Sequence, residues 1–322
     1  MRKLALGIAL SSCLFLTACG SNIHKDISVF YSMDTIITVT LYNTKDSEMH
    51  FSKIKEIYQE INDASDDYNE SITNTSVYEL NNARSALVSD TLIDILNESI
   101  QLYEDTNGYF NPFMGRLTHK WKEAIKAGEV LDKDIIQQEI EILENTSLKI
   151  EGNRVTILGD GNIDLGGIAK GYATLKAKKY LKEQGITSYF ISAGKSSISL
   201  GDKAGGKITV GLSHPYDIDK YIGILKEKNI DISSSSLENQ HTIINDRVYH
   251  HLINPFNGIP SNTFDSIFVI NDNPCLGDAY STALFNMSLE DAIAFSLDKN
   301  ISILLYKDNS ILYKSEGVEL YE

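Results

Sequence analysis

A glycine pair set between a short apolar segment and a helix constrains this chain more than any other feature. Asp164 lies in the apolar segment, Gly166 and Gly167 follow it, and Lys170 stands in the first turn of a predicted helix over 168–184. The start of a helix has unpaired backbone N–H groups and the positive end of the helix dipole. Glycines there let a ligand approach the backbone, so the pattern suits a phosphate or pyrophosphate. A plain tight connection is the alternative interpretation.

The first 18 residues predict a secretory signal peptide, with two basic residues, an apolar run from Leu4 and small residues before Cys19. This order resembles a bacterial lipobox, which implies cleavage before Cys19 and a lipid, palmitate included, on the cysteine. Lipidation would tether the protein to a membrane without spanning it. A simple signal peptide with a chance cysteine is the alternative. The predicted segments are a signal peptide at 1–18, a tether at 19–27 and one domain at 28–322.

Charge and cysteine content exclude several classes of protein. The formal net charge of −15 argues against nucleic acid or anionic lipid as the main partner. Of the three cysteines, Cys13 would leave with the signal peptide and Cys19 would be lipidated, so Cys275 stands alone. The mature protein would therefore have no intrachain disulfide, cysteine metal cluster or paired-thiol redox site.

Hydrophobic periodicity predicts an α+β fold, because the strands come in antiparallel-looking groups and the helices do not alternate strictly with them. The predicted helices are 50–63, 90–105, 132–145, 168–184 and one that begins at Asp278. The predicted strands are 188–192, 196–201, 208–212, 221–226, 266–270, 301–306 and 310–313, with a hairpin at 147–158. The segment 29–42 is predicted to be a strand pair or one long strand.

Three oxygen-bearing side chains share one face of the last predicted helix. Asp278, Ser281 and Thr282 stand at positions i, i+3 and i+4. Such a set suits Mg²⁺, which binds a few protein oxygens and completes its coordination with water and phosphate. The alternative is that Asp278 is simply the N-cap of this helix.

Two further segments carry candidate chemistry. His250 and His251 are adjacent in an extended piece, so one should point inward and the other outward, and a neutral imidazole near a metal would be a plausible base. An exposed histidine beside a core histidine is the alternative. The segment from Gly108 to Pro112 offers aromatic faces suited to a flat heterocycle, although a hydrophobic helix end would explain it as well.

Taken together and in this order, these segments resemble the FAD:protein FMN transferases, the ApbE-like lipoproteins, over nearly the whole mature chain. The segments that carry the resemblance are Met33-Asp34-Thr35, Gly108-Tyr109-Phe110-Asn111-Pro112, Asp164 to Tyr172, Tyr249 to Pro260 and Asp278 to Ala283. The chain departs from the family pattern at Asp34, Asn111, Lys195, Asn254 and the run Ser234-Ser235-Ser236.

The resemblance implies a two-lobed, T-fold-like architecture and a dinucleotide site between the lobes. The positions matching FAD contacts of the family are Met33, Tyr68, Tyr109, Phe110, Asn111, Asp164, Lys170 and Leu252. Those matching its Mg²⁺ site are Gly167, through its carbonyl, with Asp278, Ser281 and Thr282.

By the same resemblance, the FMN part of FAD passes to a Thr or Ser hydroxyl of an acceptor protein and AMP leaves. We expect His251 to take the proton of that hydroxyl and Lys170 to stabilise the leaving phosphate. Two alternatives stay open: hydrolysis of FAD to FMN and AMP, and a non-enzymatic flavin-binding or solute-binding lipoprotein. The expected acceptor is an extracytoplasmic electron-transfer protein, and the expected location is the outer face of the cell membrane.

Overall fold

The structure, a computed structural model, describes residues 23–68, 76–237 and 241–321, so the predicted signal peptide and Cys19 lie outside the described residues. Its helices are α1 (Ser47–Ser65), α2 (Val77–Ala83), α3 (Asp90–Asp105), α4 (Gly115–Ala127), α5 (Lys133–Glu144), α6 (Ala169–Glu183), α7 (Pro274–Phe285) and α8 (Leu289–Asp298). Its strands are β1 (Lys25–Ser32), β2 (Thr35–Tyr42), β3 (Ser85–Leu87), β4 (Ser147–Glu151), β5 (Arg154–Leu158), β6 (Tyr189–Ala193), β7 (Ser197–Leu200), β8 (Ile208–His214), β9 (Asp217–Glu227), β10 (Ile230–Ser236), β11 (His241–Ile244), β12 (Arg247–His250), β13 (Ser266–Asn271), β14 (Ser302–Lys307) and β15 (Ser310–Lys314).

An antiparallel sheet of eight strands forms the centre of the described part of the chain. Its order is β1-β2-β6-β7-β10-β13-β14-β15. Smaller sheets are formed by β3-β5-β4, by the β8–β9 hairpin and by the β11–β12 hairpin. The α+β prediction is therefore confirmed.

The two faces of the large sheet are covered differently. Apolar side chains on alternate residues of β2, such as Ile37 and Val39, are fully buried in the main core, together with Ile54 of α1 and Ala173 of α6. On the other face, the β8–β9 hairpin packs over β7, β10, β13 and β14 in a second apolar cluster. The β1–β2 end of that second face remains uncovered, with Val29 of β1 62% exposed.

A third apolar cluster lies at the side of the molecule, between α4, α5 and the β11–β12 hairpin. Trp121 of α4 is buried there, stacks on Tyr249 of β12 with ring centroids 5.6 Å apart, and donates from Nε1 to the Gly258 carbonyl at 2.7 Å. This packing fixes the loop that follows β12, where His251 lies.

Most predicted elements are present with shifted ends, and two predictions are wrong in ways that matter. Strand β1 begins at Lys25, so the last three residues of the expected tether are paired in the sheet. Helix α7 begins at Pro274, and its N-cap is Asn273, whose Oδ1 accepts from the N–H groups of Cys275 and Leu276. Asp278 is therefore in the second turn of α7, and the N-cap interpretation of Asp278 is excluded.

Within the described ranges, no helix combines the length and apolarity that a membrane crossing requires.

Candidate active site

A cavity of about 1650 Å³ lies between the β1–β2 turn, the loop after α3, the start of α6, α7 and the segment after β12. Eleven of the predicted site residues line it: Met33, Tyr109, Phe110, Asn111, Asp164, Gly167, Lys170, His251, Leu252, Asp278 and Thr282. Residues far apart in the chain are thus brought into one concave site.

Hydrogen bonds to backbone groups hold the two cavity-facing loops side by side. The Asp164 N–H donates to the Pro112 carbonyl at 2.8 Å, and the Phe110 N–H donates to Thr106 Oγ1 at 3.1 Å. From the other side, Asn81 accepts from the Ile163 N–H at 2.7 Å and donates to the Ile163 carbonyl at 2.9 Å. The aromatic loop and the glycine-led turn therefore form one fixed wall.

The glycine-led turn opens helix α6, as the sequence predicts. Asp164 Oδ1 accepts from the Gly166 N–H at 2.8 Å, and Lys170 Nζ donates to the Gly166 carbonyl at 3.3 Å. The lysine ammonium is thus held at the helix start, at the positive end of the helix dipole. A positive side chain and a positive helix end together favour an anionic guest such as a diphosphate.

Helices α6 and α7 touch closely at Gly171. The Gly171 N–H donates to Asp278 Oδ2 at 2.8 Å, and Asp278 is buried. Burial raises the pKa of the Asp278 carboxyl, while the positive charge of Lys170 and the Gly171 N–H oppose the rise. A buried carboxylate with so little compensation is the kind of group that a cation stabilises.

We predict that Gly171→Ala destabilises the fold, although alanine is about 1 kcal/mol better than glycine in a helix. A Cβ at this position would lie 2.3 Å from the Pro274 carbonyl oxygen and 2.6 Å from Asp278 Cβ, so two helices would have to separate. Overpacking of this kind costs about 1–3 kcal/mol. Urea unfolding measures the change, with Gly206→Ala as control because its Cβ would meet only the Lys203 carbonyl at 3.3 Å. Equal or higher stability of Gly171→Ala would contradict the prediction.

A stripe of polar side chains runs down α7 along the cavity. Asp278, Thr282 and Asn286 stand four residues apart and all line the cavity. Asn286 Oδ1 is buried and has no hydrogen-bond partner in the described part of the chain, while its Nδ2 donates to the Thr282 carbonyl at 3.1 Å. Ser281 differs: it is fully buried, its Oγ lies 2.9 Å from Ser235 Oγ, and it does not line the cavity.

The donor set around Asp278 fits a hard cation. A Cβ on Gly167 would lie 3.2 Å from Thr282 Oγ1, so the glycine backbone and the threonine hydroxyl are close neighbours. Carboxylate, hydroxyl and carbonyl oxygens are the ligands that Mg²⁺ takes in small number, keeping several waters. No group of three or more His, Cys, Asp or Glu side chains suited to a metal occurs among residues 23–68, 76–237 and 241–321. The set therefore suits Mg²⁺ bound jointly with phosphate better than a transition metal.

The two adjacent histidines point to different surroundings, as expected for an extended segment. His250 is fully buried; its Nε2 lies 2.6 Å from the Ser261 carbonyl and its Nδ1 accepts from the Leu252 N–H at 3.1 Å. These contacts assign the proton of His250 to Nε2, and burial lowers its pKa to about 4. His250 thereby holds the backbone of Leu252, directly after His251, and that of Ser261.

His251 lines the cavity, and its Nδ1 has no hydrogen-bond partner among the described residues. Burial, His250 and the positive charges of Lys170 and Lys122 lower the pKa of His251 to about 3. The imidazole is therefore neutral at physiological pH. A neutral imidazole on the wall of the cavity is able to accept a proton from a bound hydroxyl.

Tyr68 lies outside the cavity lining, with its side chain 52% exposed. Its ring stacks on His119 with centroids 4.1 Å apart, and its hydroxyl accepts from Lys122 Nζ at 2.8 Å. Because Lys122 lines the cavity, Tyr68 stands beside its mouth. No sequence motif marks His119, Lys122 or Asn286, although Asn286 stands at helical spacing from Asp278 and Thr282.

Most of the chain matches one known protein family. The ApbE family profile matches residues 33–305, which cover most of the chain. This chain belongs to the ApbE family. The matched span contains every proposed ligand-facing residue of the cavity, from Met33 to Thr282.

Curated relatives within the ApbE family are distant in sequence. An FAD:protein FMN transferase of Klebsiella pneumoniae (strain 342) is 26% identical over 190 residues, 58% of this chain and 58% of the relative. The chain thus spans less than two thirds of that relative. An FAD:protein FMN transferase of Vibrio cholerae serotype O1 is 22% identical over 311 residues, 92% of each chain.

Solved structures of the ApbE family share the fold. The ApbE protein of Thermotoga maritima has a TM-score of 0.80 at 22% identity and covers 91% of this chain and 97% of that one. The flavin transferase ApbE of Vibrio cholerae has a TM-score of 0.76 at 22% identity, covering 91% and 98%.

Proposed function

We propose that this chain transfers the FMN part of FAD to a Thr or Ser hydroxyl of an acceptor protein and releases AMP. The observation that carries the proposal is the meeting, in one cavity, of the glycine-led helix start, the buried carboxylate of Asp278 and the neutral His251. Membership of the ApbE family and the names of the curated relatives support the same activity.

The chemistry is a displacement at phosphorus. The acceptor hydroxyl oxygen forms a bond to the phosphorus on the flavin side, and the bond from that phosphorus to the bridging oxygen breaks. AMP leaves with the bonding electron pair, and the hydroxyl proton passes to His251. The residues of the site need only position the acceptor hydroxyl against the diphosphate and neutralise the negative charge of the diphosphate. Phosphoryl transfer requires little covalent chemistry from the protein.

Each wall of the cavity has a part in that step. Lys170 and the first turn of α6 would hold the diphosphate, with Lys170 next to the leaving AMP phosphate. Met33, Tyr109, Phe110, Asn111, Asp164 and Leu252 would contact the rest of FAD, with Tyr68 at the mouth. Asp278, Thr282 and the Gly167 carbonyl would hold Mg²⁺, with Ser281 supporting them from behind through its bond to the Asp278 carbonyl at 2.9 Å. When bound, Mg²⁺ would neutralise negative charge on the diphosphate.

We propose in addition that Cys19 carries a lipid, so that the enzyme acts at the outer face of the cell membrane on an extracytoplasmic electron-transfer protein. The lipobox-like sequence supports this anchor. Intact-mass measurement of the protein from its native membrane, with Cys19→Ala as control, tests it. Two chains whose masses differ only by the cysteine-to-alanine change would overturn the anchor.

One assay tests the proposed activity. The purified chain is mixed with FAD, Mg²⁺ and an FMN-free acceptor domain, and flavin fluorescence is read in a denaturing gel while FMN and AMP are measured by chromatography. We expect fluorescence that stays on the acceptor and one AMP for each FMN attached. Free FMN with no labelled acceptor would instead indicate FAD hydrolysis, and unchanged FAD would indicate binding alone; either result would overturn the transferase proposal.

A further inference from the structure

The uncovered end of the large sheet carries an apolar surface that the flavin site does not use. Ile27, Val29 and Tyr31 stand on alternate residues of β1 and are 51%, 62% and 68% exposed, and Ile36 of β2 is 60% exposed. We call these four side chains the edge patch. Single exposed apolar residues are common on proteins, whereas a contiguous group marks an interaction surface more often.

The edge patch and the floor of the cavity are one surface. Val29 pairs with Thr38, Thr38 with Ser192, and Ser192 with Ile198 across four neighbouring strands. Residues directly opposite each other in antiparallel strands point to the same face. Thr38, Ser192 and Ile198 line the cavity, and Ile36 belongs to both the patch and the lining. The sheet face therefore runs without interruption from the exposed edge into the candidate active site.

Strand β1 also leads directly to the cavity. The turn that ends it consists of Met33 and Asp34, both with positive φ, and both residues line the cavity. In the described part of the sheet β1 is a terminal strand, so one side of its backbone is unpaired. Its eight residues contain no proline, and its charged side chains, Lys25 and Asp26, stand at its far end. Exposed edges of this kind are normally blocked by charge, proline or a covering element, because they pair readily with another extended segment.

We propose that the edge patch is the docking surface for the acceptor protein. An extended segment of the acceptor lies along β1, places apolar side chains against Val29 and Ile27, and brings its Thr or Ser past the Met33–Asp34 turn to His251. This inference rests on the proposed transferase function, because only a protein substrate requires a surface outside the dinucleotide site. The cavity itself, about 1650 Å³, exceeds the roughly 300–1000 Å³ of sites for a single small ligand, which leaves room for the entering segment.

The test separates docking from chemistry. Val29→Glu and Ile27→Glu place a charge in the patch without entering the core, and Leu297→Glu on α8, where the side chain is 70% exposed, is the matched control. The acceptor probe is the cell's own flavinylated protein, purified in its FMN-free form from cells that lack this chain. We expect each patch variant to raise KM for the acceptor about tenfold or more, as loss of a central interface side chain does. Turnover at saturating acceptor, the affinity for FAD and the thermal stability should stay near those of the wild type.

Each other outcome overturns the inference. If the wild type labels the acceptor and both patch variants have its KM, the patch is not the docking surface. If sedimentation shows a wild-type dimer that Val29→Glu separates while KM is unchanged, the patch binds a second copy. If the wild type binds phosphatidylcholine vesicles through the patch while KM is unchanged, the occupant is a membrane. A wild type that labels no acceptor would instead refute the proposed function, so the two failures are distinguishable.

Discussion

Replacement of His251 by alanine is expected to lower the rate of FMN transfer by about 10²–10⁴-fold, the range that a general base contributes. His251 is the cavity histidine whose Nδ1 lacks a partner in the described residues, and its neutral form persists because burial lowers its pKa to about 3. FAD binding should change little, because the contacts assigned to the diphosphate lie on α6. His214→Ala is the control, since His214 pairs with Asn309 at the tip of the β8–β9 hairpin.

The protonation state of His251 has a measurable signature of its own. A lowered pKa means that the free protein keeps this ring in its base-competent form as pH falls from 8 to 5. The ring resonances of His251, assigned by their loss in His251→Ala, should therefore not shift over that range. A titration near the ordinary value of 6.5, or full transfer activity of the alanine variant, would refute the base assignment.

Replacement of Asp278 by asparagine is expected to lower Mg²⁺-dependent transfer by about a hundredfold or more, because the site loses its only carboxylate among the proposed ligands. An asparagine oxygen is still able to accept from the Gly171 N–H, which Asp278 Oδ2 does at 2.8 Å. The geometry of the α6–α7 junction is therefore kept while the charge is removed. The measurement is the transfer rate as a function of Mg²⁺ concentration, with Asp272→Asn as a control on an exposed side chain.

The same substitution should not destabilise the metal-free protein. Burial raises the pKa of Asp278 in the folded state, so ionising this carboxyl costs folding free energy once the pH exceeds its unfolded value. Asparagine removes that cost, and the metal-free variant should melt at the wild-type temperature or above it. Wild-type Mg²⁺ dependence in Asp278→Asn would exclude the carboxylate as a ligand.

The sequence indicates which segments meet in the cavity more clearly than it indicates the strands of the sheet. The glycine-led turn was readable because glycine, a following helix and a first-turn lysine form a local pattern. Strand β10 was missed, because serines fill its second half and favour turns, while its burial comes from β7, β13 and α7 on all sides. That packing is a property of the whole fold and leaves no local signal.

Helix α7 shows which features of the site the sequence predicts and which it does not. Its start could have been read from Asn273 followed by Pro274, an N-cap with proline at the first helical position. The sequence predicts that Asp278, Ser281 and Thr282 lie together on one face of this helix. Asp278 and Thr282 reach the cavity but Ser281 does not, because strand β10 occupies the Ser281 side through Ser235. The helix sequence alone contains no information about which neighbour covers each side.

Gly171 serves both the packing of the core and the proposed chemistry of the site. A single residue without a side chain lets two helices approach and also donates the hydrogen bond that orients the Asp278 carboxylate. In a descendant that lost the proposed transfer activity, Gly171 would remain under selection for packing, because a Cβ there would lie 2.3 Å from the Pro274 carbonyl oxygen. A glycine opposite an altered residue 278 would then persist in such descendants as a trace of the lost activity.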